Sequence, residues 1–85
     1  MNYLVNPNVL KDDVTLEPIR AGFGRGLKIA GEADKTVVAL CADLTESTQM
    51  HLFKEAFPER FIEVGIGEQN LVTVASGMAR AGKIP

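Results

Sequence analysis

One stretch decides how this chain folds: Arg60-Phe61-Ile62-Glu63-Val64-Gly65-Ile66-Gly67-Glu68-Gln69-Asn70. Its first five residues form a short apolar, alternating run that is typical of a strand. The ten residues that follow the whole stretch, Leu71 to Arg80, have the composition of a helix. Gly65 and Gly67 allow the backbone to turn sharply between the two. The pattern therefore predicts that Glu68 lies at the carboxyl end of a strand and at the amino end of a helix.

Two interpretations of Glu68 follow from that position. Ligands of open α/β sheets bind at the carboxyl ends of the strands, and apolar neighbours can hold a carboxyl group there partly desolvated. Desolvation raises the pKa of a carboxyl group and lets it share a proton with a ligand nitrogen. The simpler interpretation is that an acidic residue in the first turn of a helix offsets the positive end of the helix dipole. The stretch alone does not decide between them.

The composition limits the classes of protein to which the chain can belong. With 85 residues it holds one short domain at most, and 46% apolar residues exclude a disordered tail. The formal net charge is −2 and no run of Lys and Arg occurs, so we expect neither nucleic acid nor a membrane surface as a partner. Cys41 and His51 are the single residues of their types. We therefore expect no disulfide, no metal site on this chain and a reduced, cytoplasmic setting, with no signal peptide.

A helix is predicted over Ile19–Ala33 from one apolar face. Thr15 is a candidate N-cap, Pro18 is expected in the first turn, and Gly31 is expected to end the helix. Three glycines inside it cost about 1 kcal/mol each relative to alanine unless they serve close packing: Gly22, Gly24 and Gly26.

The remaining predicted elements are the strand Thr36–Ala42, the helix Gln49–Phe57, the strand Arg60–Val64 and the helix Glu68–Arg80. The first of these strands is apolar on both faces, which suits a buried parallel strand. The polar segment Asp43–Thr48 follows its carboxyl end. The last helix is rich in small residues, so we expect it to be buried and to end at Gly82.

Helices and strands that alternate in this way predict an α/β fold with parallel strands. Two strands do not make a stable sheet, and no further strand is predicted before the chain ends. We therefore expect an amino-terminal arm at residues 1–14 and, at residues 15–85, part of a larger domain.

Three blocks resemble the pyrimidine-binding domain of transketolases, a family of thiamine diphosphate enzymes. They are Pro18-Ile19-Arg20-Ala21-Gly22-Phe23-Gly24, then Ala42-Asp43-Leu44-Thr45-Glu46-Ser47-Thr48, and then the stretch that begins at Arg60, continued through Ala79-Arg80-Ala81-Gly82-Lys83-Ile84-Pro85. The resemblance implies the three-layer α/β fold of the family, of which this chain would hold the amino-terminal portion, with about two strands and three helices. The short segment before the first block is similar to the start of the separate carboxyl-terminal subunit of split transketolases.

The resemblance also implies roles for five residues. Glu68 would hydrogen-bond a ring nitrogen of the aminopyrimidine and favour the imino form that removes a proton from the thiazolium carbon. Leu44 would support the bent shape of the cofactor, with Asp43 beside it at the subunit interface. Arg20 and Ser47 match positions that bind the phosphate of the sugar substrate, a task for which an arginine and a hydroxyl are suited.

Asp43, Arg20 and Ser47 each also have a simpler interpretation from the residue alone. Asp43 can cap a helix or close a loop by a hydrogen bond. Arg20 can be a solvated helix residue, and Ser47 can cap the next helix.

The diphosphate- and metal-binding motif of the family, Gly-Asp-Gly followed by Asn, is absent from this sequence. The resemblance therefore implies a companion subunit or domain that holds the diphosphate and Mg or Ca, in a homodimer or heterotetramer, and no turnover by this chain alone. The reaction implied is transfer of a two-carbon ketol unit between sugar phosphates. Deoxyxylulose-phosphate synthase, the beta subunit of a 2-oxo acid dehydrogenase, and a non-catalytic interaction module remain alternatives. The Val64-Gly65-Ile66 lead-in and the block at residues 43–48 favour transketolase.

Overall fold

The computed structural model of the protein describes residues 16–85, together with residues 7 and 10–12. The expected arm at residues 1–14 and the Thr15 cap therefore lie almost entirely outside the described residues. In chain order the elements are α1 (Ile19–Ala33), β1 (Ala39–Cys41), α2 (His51–Ala56), a 3₁₀ turn (Pro58–Arg60), β2 (Phe61–Glu63) and α3 (Glu68–Arg80). The prediction of an incomplete α/β unit with two strands and three helices is confirmed.

The two strands pair in parallel, as predicted. Their register is Ala39 with Phe61, Leu40 with Ile62 and Cys41 with Glu63. The ladder extends by one further hydrogen bond, from the N–H of Val64 to the carbonyl oxygen of Cys41 at 2.9 Å. The carboxyl ends of both strands therefore meet at one edge of the sheet.

The residues directly before β1 have a parallel neighbour of their own. Val37 forms a parallel bridge with Ile84. The N–H of Val38 donates to the Ile84 oxygen at 3.0 Å, and the Ile84 N–H donates to the Thr36 oxygen at 2.9 Å. This pairing was not predicted from the sequence, because one isolated isoleucine has no strand period. Within residues 16–85, the chain from Thr36 to Cys41 is consequently hydrogen-bonded to both Ile84 and β2.

The core lies on the face of β1 that α1 and α2 cover. Phe53 of α2 has no exposed surface, and it packs with the buried residues Val37, Ala39, Cys41 and Met50. The intervening strand residues alternate to the opposite face. Val38 and Leu40 line an open apolar groove together with Leu71 and Ala75 of α3, and residues of α1 line it as well. The sheet and the three helices match the incomplete α/β fold expected from the sequence.

α1 and α2 approach each other at two glycines. A Cβ atom at Gly24 would lie 2.6 Å from the carbonyl oxygen of Gln49, and one at Gly31 would lie 2.6 Å from the ring of Phe53. Gly31 lies inside α1, so the expectation that it ends the helix is wrong. The residue serves close packing, because no other side chain leaves room for the phenylalanine.

The guanidinium of Arg60 fastens the carboxyl end of α1 to the sheet. It donates to the carbonyl oxygens of Val37 at 3.0 Å, Gly31 at 2.8 Å and Asp34 at 3.0 Å. Its central carbon also lies 4.1 Å from the centre of the Phe57 ring, which adds a cation–π contact. A positive charge at this end of a helix satisfies the last carbonyl groups and opposes the helix dipole.

α3 begins and ends where the sequence predicts. Gly82 adopts a φ of +100°, and the N–H groups of Gly82 and Lys83 donate to the carbonyls of Ala79 and Met78. This is the hydrogen-bond pattern of a Schellman helix end. The expected burial of α3 is wrong, because none of its residues is buried and Val72 is 64% exposed. In the described residues only one side of the helix has a neighbour.

Several predicted boundaries are also wrong. Pro18 precedes α1 in an extended conformation and is not part of its first turn. Both strands are shorter than predicted. α2 begins at His51, after the predicted start at Gln49, because Gln49 has a φ of +62° and cannot be helical. It ends at Ala56 because the backbone at Phe57 leaves the helical region before Pro58.

The glycines of α1 make a matched test of this packing. Gly22→Ala, where a Cβ would meet open space, should stabilise the protein by up to about 1 kcal/mol through helix propensity. Gly24→Ala should destabilise it by about 1–3 kcal/mol, because the added methyl group displaces the segment at Gln49. Urea unfolding monitored by circular dichroism measures both. Equal effects of the two substitutions would contradict a close α1–α2 contact.

Candidate functional site

The candidate site is the sheet edge where β1 and β2 end. Two connections leave this edge: residues 42–50, which lead from β1 to α2, and residues 64–67, which lead from β2 to α3. Asp43, Leu44 and Ser47 lie on the first connection, and Glu68 begins the helix that follows the second. The parallel pairing therefore brings the predicted cofactor residues to one edge.

Glu63, the last residue of β2, joins the two connections. One of its carboxylate oxygens, Oε2, accepts the N–H of Asp43 at 2.9 Å and the N–H of Gly65 at 2.7 Å. These two backbone donors, Gly65 first, hold the pKa of the Glu63 carboxyl below its usual range, and the charge of Lys54 adds to the effect. The group is therefore ionised at neutral pH, as a carboxylate that accepts backbone N–H groups should be.

Cys41 makes a second link inside the first connection. Its sulfur accepts the N–H of Leu44 at 3.1 Å, and the thiol is buried. The sulfur therefore helps to fix the backbone of a predicted cofactor residue.

The backbone at Asp43 is held in a conformation that few side chains adopt. Its φ is +61°, in the left-handed region that Asp tolerates better than most residues. Asp43 is exposed and the side chain of Leu44 is half exposed, at 50%. An apolar side chain and a carboxyl group are thus both presented to solvent at the edge.

Glu68 lies at the amino end of α3, as predicted. Gly65 supplies the turn before it with a φ of +76°, whereas Gly67 is in extended backbone. Glu68 is exposed, so the desolvation expected from the sequence is not provided by residues 16–85. The dipole interaction with the first turn of α3 is present in this geometry.

Arg20 and Ser47 lie on two segments that the fold places side by side. Gly24, one turn after Arg20, is in close contact with Gln49, two residues after Ser47. Arg20 and Ser47 are both exposed. Ser47 does not cap α2, for which no side-chain cap bond is present and which begins at His51. The simpler interpretation of Ser47 as an N-cap is therefore wrong.

Glu63 was not predicted from the sequence as a residue of this edge. The signal was its place as the last residue of a strand directly before the glycine turn. Side-chain-to-backbone bonds between two different connections depend on strand register, which a single sequence does not reveal.

A metal site and a membrane-spanning helix each require a recognisable arrangement of residues. Within residues 16–85, no three His, Cys, Asp or Glu side chains come together as metal ligands would. None of the helices described is both long and apolar enough to span a bilayer.

Comparison with known proteins decides the family. Residues 18–85 match the family described as the transketolase, pyrimidine binding domain. The chain belongs to this family. The match includes all three sequence blocks that carry the resemblance, so the recognition made from the sequence is confirmed.

Individual relatives show the same relationship. A 1-deoxy-D-xylulose-5-phosphate synthase from Halothermothrix orenii is 48% identical over 63 residues, which are 74% of this chain and 10% of that protein. A protein of Methanocaldococcus jannaschii, named as a transketolase C-terminal section, is 44% identical over 66 residues, 78% of this chain and 21% of that protein. A solved structure described as a split gene transketolase, inactive beta4 tetramer, is 47% identical, with a TM-score of 0.69, over 78% of this chain and 22% of the other.

The chain thus spans between a tenth and about a fifth of the length of these relatives. They include both a deoxyxylulose-phosphate synthase and transketolase-like proteins at similar identity. The preference for transketolase that was drawn from Val64-Gly65-Ile66 therefore remains a prediction.

The lowered pKa of Glu63 implies that the stability of the folded protein depends on pH. Because the pKa of Glu63 is lowered in the folded protein, its stabilising contribution is complete above the usual glutamate pKa of about 4.3. It is lost as the pH falls through the lower, folded-state pKa. Glu63→Gln should therefore destabilise the protein at pH 7 and have a progressively smaller effect as the pH falls below about 4.3.

Urea unfolding at several pH values measures this effect. Glu59→Gln, which removes a neighbouring exposed carboxylate, is the control with the same change of charge. If the two substitutions have the same pH profile, the hydrogen bonds to the backbone do not stabilise the fold.

Proposed function

We propose that this chain provides the pyrimidine side of a thiamine diphosphate enzyme that transfers a two-carbon ketol unit between sugar phosphates. The observation that carries the proposal is the place of Glu68, in the matched family domain, at the joint carboxyl edge of two parallel strands. Membership of this family implies dependence on thiamine diphosphate.

The side chains at the edge have the chemistry that such a cofactor needs. An aminopyrimidine ring offers apolar faces and a polar edge, so it requires an apolar contact and a hydrogen-bond partner. Leu44 presents a half-exposed apolar side chain, and Glu68 presents a carboxyl group at the same edge. The residues present therefore fit the group.

The role that we assign to Glu68 is to hold a proton against a ring nitrogen of the pyrimidine. The cofactor, when bound, supplies the carbanion chemistry itself, and the protein supplies orientation and proton placement. A carboxyl group can lend a proton at neutral pH only when it is withdrawn from water. Because Glu68 is exposed in this chain, we infer that the cofactor and a companion surface cover it in the assembled enzyme.

The companion surface would be a second subunit or domain that binds the diphosphate and a divalent metal, Mg or Ca. The names of two relatives support this division of labour, one a split gene transketolase and the other a transketolase C-terminal section. We propose a homodimer or heterotetramer in which Asp43 lies at the subunit interface, beside the cofactor.

Arg20 and Ser47 are proposed to bind the substrate phosphate. The contact between Gly24 and Gln49 brings their two segments together. A guanidinium offers forked hydrogen bonds to phosphate, and a hydroxyl adds a single one. Their position near the edge that carries Glu68 suits a substrate whose phosphate is held away from the reacting carbon.

Glu68→Gln tests the central assignment. The substitution keeps the size of the side chain but removes the titratable proton. In the enzyme assembled with its diphosphate-binding companion, deuterium exchange at the thiazolium carbon should slow by at least about 100-fold, the scale of a lost acid–base contribution. Cofactor affinity should fall much less, because most of the cofactor contacts would belong to the companion.

Glu55→Gln, which removes an exposed carboxylate on α2, is the matched control and should exchange at the normal rate. Normal exchange in Glu68→Gln would remove Glu68 from catalysis and leave only its interaction with the helix dipole. It would also favour the interpretation of this chain as a non-catalytic interaction module.

Arg20→Ala tests the phosphate site. The loss of a charge-assisted hydrogen bond of about 1.5–3 kcal/mol should raise the KM for phosphorylated substrates by roughly 10- to 100-fold. The KM for unphosphorylated substrates should stay unchanged. Lys28→Ala removes one positive charge from the same helix and is the control. Equal losses on both kinds of substrate would exclude Arg20 from the site.

A deoxyxylulose-phosphate synthase is the second candidate, because one relative of that name is 48% identical. The same assembled enzyme distinguishes the two activities. Formation of 1-deoxy-D-xylulose 5-phosphate, without ketol transfer between sugar phosphates, would establish the second candidate in place of the first.

A further inference from the structure

The backbone hydrogen bonds between β1 and β2 end at the point where the candidate site begins. The last of them within residues 16–85 runs from Val64 to Cys41. Beyond it, the two connections are joined by the Glu63 carboxylate, which accepts the N–H of Asp43 from one connection and that of Gly65 from the other. A single oxygen atom therefore sets the separation of two segments that carry different site residues.

Each bonded N–H lies next to a residue of the proposed site. Asp43 adjoins Leu44, the apolar contact, and its φ of +61° is a conformation that persists only where the surroundings enforce it. Gly65 begins the turn that ends at Glu68. Bonds at these two N–H groups thus fix both the apolar contact and the carboxyl group relative to one another.

We propose that Glu63 is a positioning residue, which holds the Asp43–Leu44 backbone and the Gly65–Glu68 turn at the separation that the cofactor ring requires. The proposal rests on the function proposed above and adds to it a residue that does not itself touch the cofactor.

The carboxylate is suited to this task in charge and in length. An ionised oxygen accepts backbone N–H groups more strongly than an amide oxygen does. Lys54 of α2 is the cation that acts on Glu63, and Asp43 and Glu46 carry the carboxyl groups on the facing connection. An aspartate in place of Glu63 would be shorter by one methylene group.

The hydrogen bonds can be tested without any cofactor. In ¹H–¹⁵N NMR spectra of the chain, the amide protons of Asp43 and Gly65 should shift together as the pH is lowered, with one apparent pKa. Glu63→Gln should abolish that shared titration, whereas Glu59→Gln should preserve it. Gly65 is the more specific reporter, because it carries no carboxyl group of its own.

The positioning role is tested in the enzyme assembled with its companion subunit. Glu63→Ala should slow deuterium exchange at the thiazolium carbon by on the order of 10-fold or more, the scale of a misplaced catalytic group. Glu63→Gln, whose amide oxygen still accepts hydrogen bonds, should restore part of the rate. Cofactor affinity and the melting temperature measured alongside separate misplacement from loss of fold.

The outcomes distinguish this proposal from the proposed function. Amide protons that do not titrate in the unsubstituted chain overturn the role of Glu63, whatever the enzyme does. Shared titration together with unchanged exchange in Glu63→Ala also overturns it. If Glu68→Gln exchanges normally, the proposed function fails instead, and the hydrogen bonds of Glu63 stand as a feature of the fold. The proposal is supported if the two amide protons titrate together and if deuterium exchange slows in Glu63→Ala and partly recovers in Glu63→Gln.

Discussion

The parallel pairing of β1 with β2 is the interaction on which the rest of this structure depends. Only three residue pairs define it, but the register that they set has two consequences. It turns Ala39 and Cys41 toward Phe53, which becomes fully buried. It also places the last residue of β1 opposite the last residue of β2, so that both connections leave the sheet at the same edge. A shift by one residue would expose the core face and separate the connections.

Close packing of α1 on α2 makes that pairing possible in so short a chain. Gly24 and Gly31 remove the side chains that would keep the helices apart, and Phe53 and Phe57 occupy the space, with their ring centres 5.1 Å apart. Arg60 then donates hydrogen bonds to the carbonyl groups at the end of α1, which have no partners within the helix. A small domain buries a limited share of its surface, so interactions that combine packing with backbone hydrogen bonds carry much of its stability.

The sequence predicted the parts of the fold that depend on local pattern. The limits of α3, the order of the elements and the position of Glu68 all follow from apolar periodicity and from glycine signals. The parts that it missed depend on contacts between distant residues. Gly31 was predicted to end the helix because the sequence does not show that a phenylalanine ring lies against it. The pairing of Ile84 and the two hydrogen bonds of Glu63 likewise arise from strand neighbours that only the fold defines.

The bridge between Val37 and Ile84 has a consequence for how the chain folds. The elements β1, α2, β2 and α3 lie between these two residues, so their pairing closes a long loop and carries a larger entropic cost than a local contact. The α1–α2 contact and the β1–β2 crossover span much shorter loops and should form earlier. The carboxyl-terminal segment would then dock last and bring α3 against an already formed strand. On this view Glu68 acquires its place late in folding, when the helix that begins with it is fixed at both ends.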